Sequence, residues 1–251
     1  MIGIDDALKL LGAGVVAGIV GTAGGITSLV SYPALLWVGV APLPASIANT
    51  VALVACFPGS AITSGPELRG RRSWLTRWSV VTVAGGVVGA VLLLNTPARD
   101  FAHIVAPLLI VAAVGLLAQP RLTEWQMRRM QSGRGDLLLP VGMFLVAVYN
   151  GYFGAGAGVM LLTLLMLTVD SHLARANALK NILVGVATLV SATAFVIFAH
   201  VRWSDVWVLA LGMFVGSMIG PLVARRLPAV VLRVAAAAMG IGLAIHLWWG
   251  S

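Results

Sequence analysis

Charge is scarce in this chain. Only 8 acidic and 16 basic residues occur among 251, 10% in all, against 60% hydrophobic residues and a mean hydropathy of +1.01. Soluble domains carry roughly 25% charged residues, so no ordinary soluble domain fits. Cysteine is nearly absent: Cys56 stands alone, which excludes an intrachain disulfide and a cysteine metal cluster. It lies in an apolar segment and reads as a packing residue. All eight acids fall between the apolar runs or at their ends, so a carboxylate site for proton or sodium coupling has no residue to build it. HExxH, GxSxG and P-loop patterns are missing too, and with them the usual zinc, nucleophile-elbow and nucleotide chemistries. No cofactor is implied, and no nucleophile and base can be paired for an enzyme.

What remains is a series of apolar runs: 7–40, 45–64, 76–94, 102–118, 137–169, 177–199, 206–224 and 229–249. At roughly 20 residues per spanning helix, they describe an all-α polytopic membrane protein in a lipid bilayer and leave no segment for a soluble domain. The start "MIGIDDALKL" is acidic rather than basic, unlike a secretory signal, and reads as a mature N-terminus. A net charge of +8 suggests nucleic acid in a soluble protein. Here the arginines cluster between spans, where topology accounts for them without nucleic acid.

The sequence also repeats weakly. Gly18, Gly21 and Gly25 fall on Gly151, Gly154 and Gly158 at an offset of 133, Asn49 on Asn181 at 132, and Gly85 and Gly89 on Gly216 and Gly220 at 131. Residues 1–118 and 137–251 thus form two repeats, joined by the linker 119–136. Basic residues flanking spans stay in the cytoplasm. That rule places 13 of the 16 inside, from Arg69 to Arg77, Arg121 to Arg134, Arg175 with Lys180, and Arg225 to Arg233, leaving Lys9, Arg99 and Arg202 outside. The loop after the second element of the first repeat is then inside, while its counterpart "HVRWSD" is outside. The repeats are read as inverted, with both termini outside.

For that parity to hold, each long first element, 7–40 and 137–169, must leave the membrane where it entered. A straight helix over 7–40 would run about 50 Å, against a hydrocarbon core of about 30 Å, so each is read as a broken or re-entrant hairpin. Arms of about 14 residues are short for full spans, giving 8 to 10 membrane segments. A glycine cluster sits at the middle of each hairpin, "AGIVGTAGG" and "NGYFGAGAG". Irregular backbone at this depth is tolerated only when buried in protein or lining a watery cavity, and glycine lets it approach a ligand closely. Two tips at one site would explain two clusters; close helix packing is the alternative.

Thr22 and Asn150 accompany the clusters, and Asn49, Thr50, Lys180 and Asn181 open the following elements. These side chains suit anionic oxygens, although helix capping also accounts for the asparagines. Lys180 reads two ways: a cation within the membrane is costly and functional, whereas a snorkelling one is a topology signal.

The segments "GIVGTAGGIT", "YPALLWVGVAPLPASIANT", "NGYFGAGAGVMLLTLLML" and "ANALKNILVG" together resemble the sulfite exporter TauE/SafE family, also called the toluene sulfonate uptake permease family, over nearly the whole chain. By position, the resemblance places the family's glycine motifs on Gly21, Gly24 and Gly25 and on Gly154, Gly156 and Gly158, and its lysine and asparagine on Lys180 and Asn181. The "NAL" before Lys180 departs from the small and hydroxyl residues common there. The resemblance implies a bacterial inner-membrane secondary transporter that moves small anions such as sulfite, sulfonates or related organosulfur anions. A homodimer is common among transporters, although no interface is readable in the sequence. From the residues alone, an anion channel and a non-transporting scaffold stay open beside the transporter.

Overall fold

The computed structural model describes residues 3–63, 65–110, 112, 114 and 135–224; the linker and the final run therefore lie almost wholly outside the described residues. Those described are helical, with no strand among them. In chain order the elements are α1 (Ile4–Gly24), α2 (Ser28–Trp37), α3 (Pro42–Leu53), α4 (Cys56–Thr63), a 3-10 turn (Pro66–Leu68), α5 (Arg72–Leu94), α6 (98–110), α7 (Gly135–Tyr152), α8 (Ala157–Thr168), α9 (Leu173–Phe198) and α10 (Trp203–Ala224). Five stretches among them are long and apolar enough to cross a membrane, with α3 and α4 counted as one run.

Both first elements break at their glycines. α1 stops where Gly25 turns left-handed at φ 77° and its N–H bonds back to Gly21 at 2.6 Å, a glycine C-terminus that satisfies an otherwise orphan carbonyl. α7 stops before Gly154 and Gly156, at φ 78° and 79°. The arms are unequal rather than matched at about 14 residues. α1 has 21 residues and α7 has 18, whereas α2 has 10 and α8 has 12. At about 1.5 Å per residue, the first arm of each pair approaches a full span and the second covers about half. Gly142 early in α7 lies against Leu164 late in α8, so α8 folds back along α7.

A third break falls inside the run 45–64, which reads as one span in sequence. Pro58 has no N–H, and its ring collides with the carbonyl four residues earlier, that of Val54. The helix accordingly stops at Leu53 and restarts at Cys56.

Small residues then let two helix pairs touch backbone to backbone. Gly14 lies against Leu209 and Gly212, and Gly18 against Met213 and Gly216, so α1 and α10 run parallel; Gly85 against Phe144 and Ala147, and Gly89 against Val148 and Gly151, make α5 and α7 parallel as well. Membrane helices pack this way because close backbones gain van der Waals contact. In these contacts Gly85 matches Gly212 and Gly89 matches Gly216, four residues from the register at which the sequence aligns them. Glycines spaced every four residues satisfy either register, and only the contact chooses.

Among the described residues, ion pairs lie near helix ends and in the loops beside them. Asp170, between α8 and α9, meets Arg71 at 3.1 Å and Arg175 at 3.7 Å, joining two segments assigned to the cytoplasmic side. Lys9 and Arg202, both assigned outside, pair with Asp6 at 3.0 Å and Asp205 at 2.7 Å. The Asp170 carboxylate accepts the backbone N–H of His172 at 3.0 Å. This bond, then the charges of Arg175 and Arg71, hold its pKa below the usual carboxylate value, with burial partly opposing them. A depressed folded pKa adds stability above the unfolded pKa that is lost as pH falls through the folded one. Asp170→Asn should therefore cost about 1 kcal/mol at neutral pH. In melting curves against pH, the variant should also lack this acid-dependent loss, and identical curves for both proteins would remove the role.

Candidate functional site

The tips of the two broken elements touch. A Cβ placed on Gly25 would lie 2.7 Å from the carbonyl carbon of Gly158, and one on Gly158 would lie 2.7 Å from the Gly25 Cα. These glycines are 133 positions apart, partners in the repeat alignment, and neither has room for a side chain.

Around this contact lies a cavity of about 70 Å³, room for a few waters or one small anion. Gly21, Thr22 and Gly25 line it from the end of α1, Thr27 and Ser28 from the start of α2, and Asn150, Gly154 and Gly158 from the second tip. α9 contributes Lys180, Asn181, Val184, Gly185 and Thr188, and the broken α3–α4 element contributes Leu53, Val54, Cys56, Phe57 and Ser60. The cavity thus gathers Gly21, Thr22, Gly25, Asn150, Gly154, Gly158, Lys180 and Asn181 from the residues singled out in sequence.

The other four stand apart from the lining. Gly24 is the last residue of α1. Gly156, left-handed just before α8, faces Ala112. Asn49 is buried in α3, where its Oδ1 accepts the Ser31 hydroxyl and its Nδ2 donates to Ser28 Oγ at 3.2 Å. It therefore orients Ser28, which does line the cavity. Thr50 donates its hydroxyl to the Ser46 carbonyl at 3.0 Å within α3.

Lys180 dominates the chemistry. It is 2% exposed, so it does not snorkel, and its Nζ has no hydrogen-bond partner among the described residues. Asn181 Nδ2, also without a partner, sits beside it on the lining. Among the described residues, no acid lines the cavity. The surrounding polar groups are mostly engaged: Asn150 Nδ2 donates to Thr188 Oγ1 at 3.1 Å, Thr22 Oγ1 donates to the Gly18 carbonyl at 2.8 Å, and Ser60 Oγ donates to the Phe57 carbonyl at 3.0 Å. Two unsatisfied donors, one cationic, are expensive in a low-dielectric setting. Both are donors of the kind that anion oxygens accept from.

Sequence reasoning passed over Ser28, Ser60 and Thr188 and read Cys56 as a packing residue, yet all four line the cavity. Pro58 was the available signal for the α3–α4 residues, because it dictates the break that exposes them. Thr188 falls on Cys56 at the repeat offset of 132, and both line the cavity.

Comparison with known proteins follows the same outline. A family profile described as sulfite exporter TauE/SafE matches residues 10–247. The chain is 27% identical over 207 residues to the probable membrane transporter protein YfcA of Escherichia coli strain K12, covering 81% of this chain and 75% of that one. It is 24% identical over 237 residues to the probable membrane transporter protein ORF9 of Sinorhizobium sp, covering 94% and 89%. A probable membrane transporter protein of Haemophilus influenzae is 24% identical over 223 residues, covering 87% and 85%. No solved structure matches the chain.

Proposed function

The chain belongs to the sulfite exporter TauE/SafE family and is a multi-pass membrane protein; on that premise we propose that it is a secondary transporter, an exporter of small sulfur-containing anions such as sulfite or organosulfonates. The observation that carries this reading is Lys180, a lysine buried on a cavity wall with no partner and no lining acid among the described residues. The substrate supplies the missing negative charge, and its remaining oxygens take donors such as Asn181 Nδ2. Export needs no coupling ion, because an anion leaving a negative interior gains about 2.3 kcal/mol per charge per 100 mV.

The transporter works by alternating access between two inverted halves, 1–118 and 137–251, joined by a cytoplasmic linker. Several contacts support the inversion. α10 starts after a four-residue connection from α9, which spans at most about 14 Å and cannot recross the membrane, so α9 and α10 are antiparallel. Asp170, before α9, is tied to Arg71, before α5. Since α1 runs with α10 and α7 runs with α5, α1 and α7 enter from opposite faces. With the arginine-rich loops read as cytoplasmic, both termini are assigned to the outside of a bacterial plasma membrane, and the pivot of the halves is assigned to the Gly25–Gly158 contact.

The test is thermal stabilisation of the detergent-purified chain by sulfite, sulfate, thiosulfate, sulfoacetate, taurine and acetate at fixed ionic strength. A ligand at about 100 times its Kd stabilises the folded state by about 2.7 kcal/mol. Sulfur oxyanions should raise the melting temperature while acetate leaves it unmoved. A flat response to every sulfur anion would overturn the substrate class.

A further inference from the structure

Cys56 opens α4 immediately after the Val54–Ala55 break and lines the same cavity as Lys180. Among the described residues, its thiol makes one long hydrogen bond, 3.8 Å, to the Met213 carbonyl. A second feature of that cavity points to an anionic ligand independently: the buried Lys180 Nζ has no partner among the described residues. A site of one charge sign within low-dielectric walls concentrates ligands of the opposite sign. Here the walls also carry a free thiol.

We propose that Cys56 is a modification site for oxidised sulfur anions, thiosulfonates and polythionates, which the anion cavity admits and which close it once attached. The proposal rests on the anion reading of the cavity. The chemistry is thiol–disulfide exchange, in which a thiolate attacks a divalent sulfur. With tetrathionate, a bond forms between Cys56 Sγ and an inner sulfur of the anion, and the central S–S bond breaks. Thiosulfate leaves with the electron pair, and the thiol proton passes to water. The cysteine sulfur is oxidised and the polythionate reduced, so no further oxidant is needed. The attached group ends in a sulfonate. In a cavity of about 70 Å³ that group occupies the space of a transported anion, and a dithiol reductant removes it.

Because the chain has one cysteine, a mass gain on the intact protein reports Cys56 alone. The folded full chain is treated in parallel with sulfonatoethyl methanethiosulfonate and its trimethylammonioethyl counterpart. We expect the anionic reagent to react at least about tenfold faster, thiosulfate to slow it, and Lys180→Met to abolish the preference. In proteoliposomes, tetrathionate should stop anion flux reversibly in the unaltered protein. Whatever flux Cys56→Ser retains, measured against its own untreated rate, should be insensitive to tetrathionate. Equal rates for the two reagents, or no modification until the chain is denatured, would overturn the proposal. If oxyanions still stabilise the protein in that case, the anion site stands without the modification; if they do not, both readings fall together.

Discussion

Lys180→Met is expected to change two properties in opposite directions. Without anion, the variant should melt higher than the unaltered protein. Replacing a buried ionisable group that has no partner among the described residues by an apolar side chain of similar length removes a desolvation penalty, and even whole buried ion pairs so replaced are neutral or up to about 4 kcal/mol more stable. With anion, the variant should lose its response. Truncating one partner of a buried charge pair costs about 2–5 kcal/mol of binding, so affinity should fall by at least about 30-fold. Thermal melts with and without sulfite or thiosulfate, together with flux in proteoliposomes, read both effects. Lys180→Arg keeps the charge on a planar fork and should retain part of the response. The pairing of signs is what discriminates. A lysine serving only topology would lose neither binding nor flux, and one serving only the fold would lower the melting point. Either result would return Lys180 to a structural role.

The second large effect is expected at the tip contact. Gly25→Ala should destabilise the protein by about 2–4 kcal/mol. About 1–2 kcal/mol comes from a left-handed backbone that a Cβ disfavours, and the rest from forcing a methyl into a packed contact. The Cβ would meet Gly158 backbone at 2.7 Å, and backbone cannot swing aside as a flexible side chain can. Gly39→Ala supplies the comparison. Gly39 has φ 83°, but nothing lies within 4 Å of where its methyl would stand, so only the backbone cost applies there. Gly12, helical and equally open, should accept Ala neutrally or gain up to about 1 kcal/mol. Folded yield and melting temperature of the three variants measure this series. If Gly25→Ala is no worse than Gly39→Ala, the tips are not held together as described. Anion flux by surviving Gly25→Ala protein adds a functional reading, since separating the tips also opens the cavity wall.

Much of this was legible in one dimension because a membrane imposes simple rules. Apolar run length identified helices, arginine clusters grouped loops that Asp170 then joins to one another, and glycine clusters marked where helices break. Eight of the twelve residues singled out line one cavity, because irregular backbone and polar side chains at membrane depth have few other places to go. Asn49 shows the limit. It aligns with Asn181, yet it turns toward Ser28 and Ser31 on α2 while Asn181 lines the cavity. Spacing along the chain does not say which neighbour an amide will find. Nor did apolar pattern reveal the break at Val54, because the run stays hydrophobic through Pro58, and only the missing donor and the ring clash interrupt it.

By itself, then, the sequence determined a helical membrane chain with two glycine-broken elements, since composition, run length and glycine spacing are properties of order alone. The tertiary structure decided the rest: that Gly25 meets Gly158, that the glycine stripes pair one turn away from their alignment, and that Lys180 is buried without a partner among the described residues. Those depend on distances between segments far apart in the chain, set by which backbones pack closely enough to exclude side chains, and no local pattern encodes that choice.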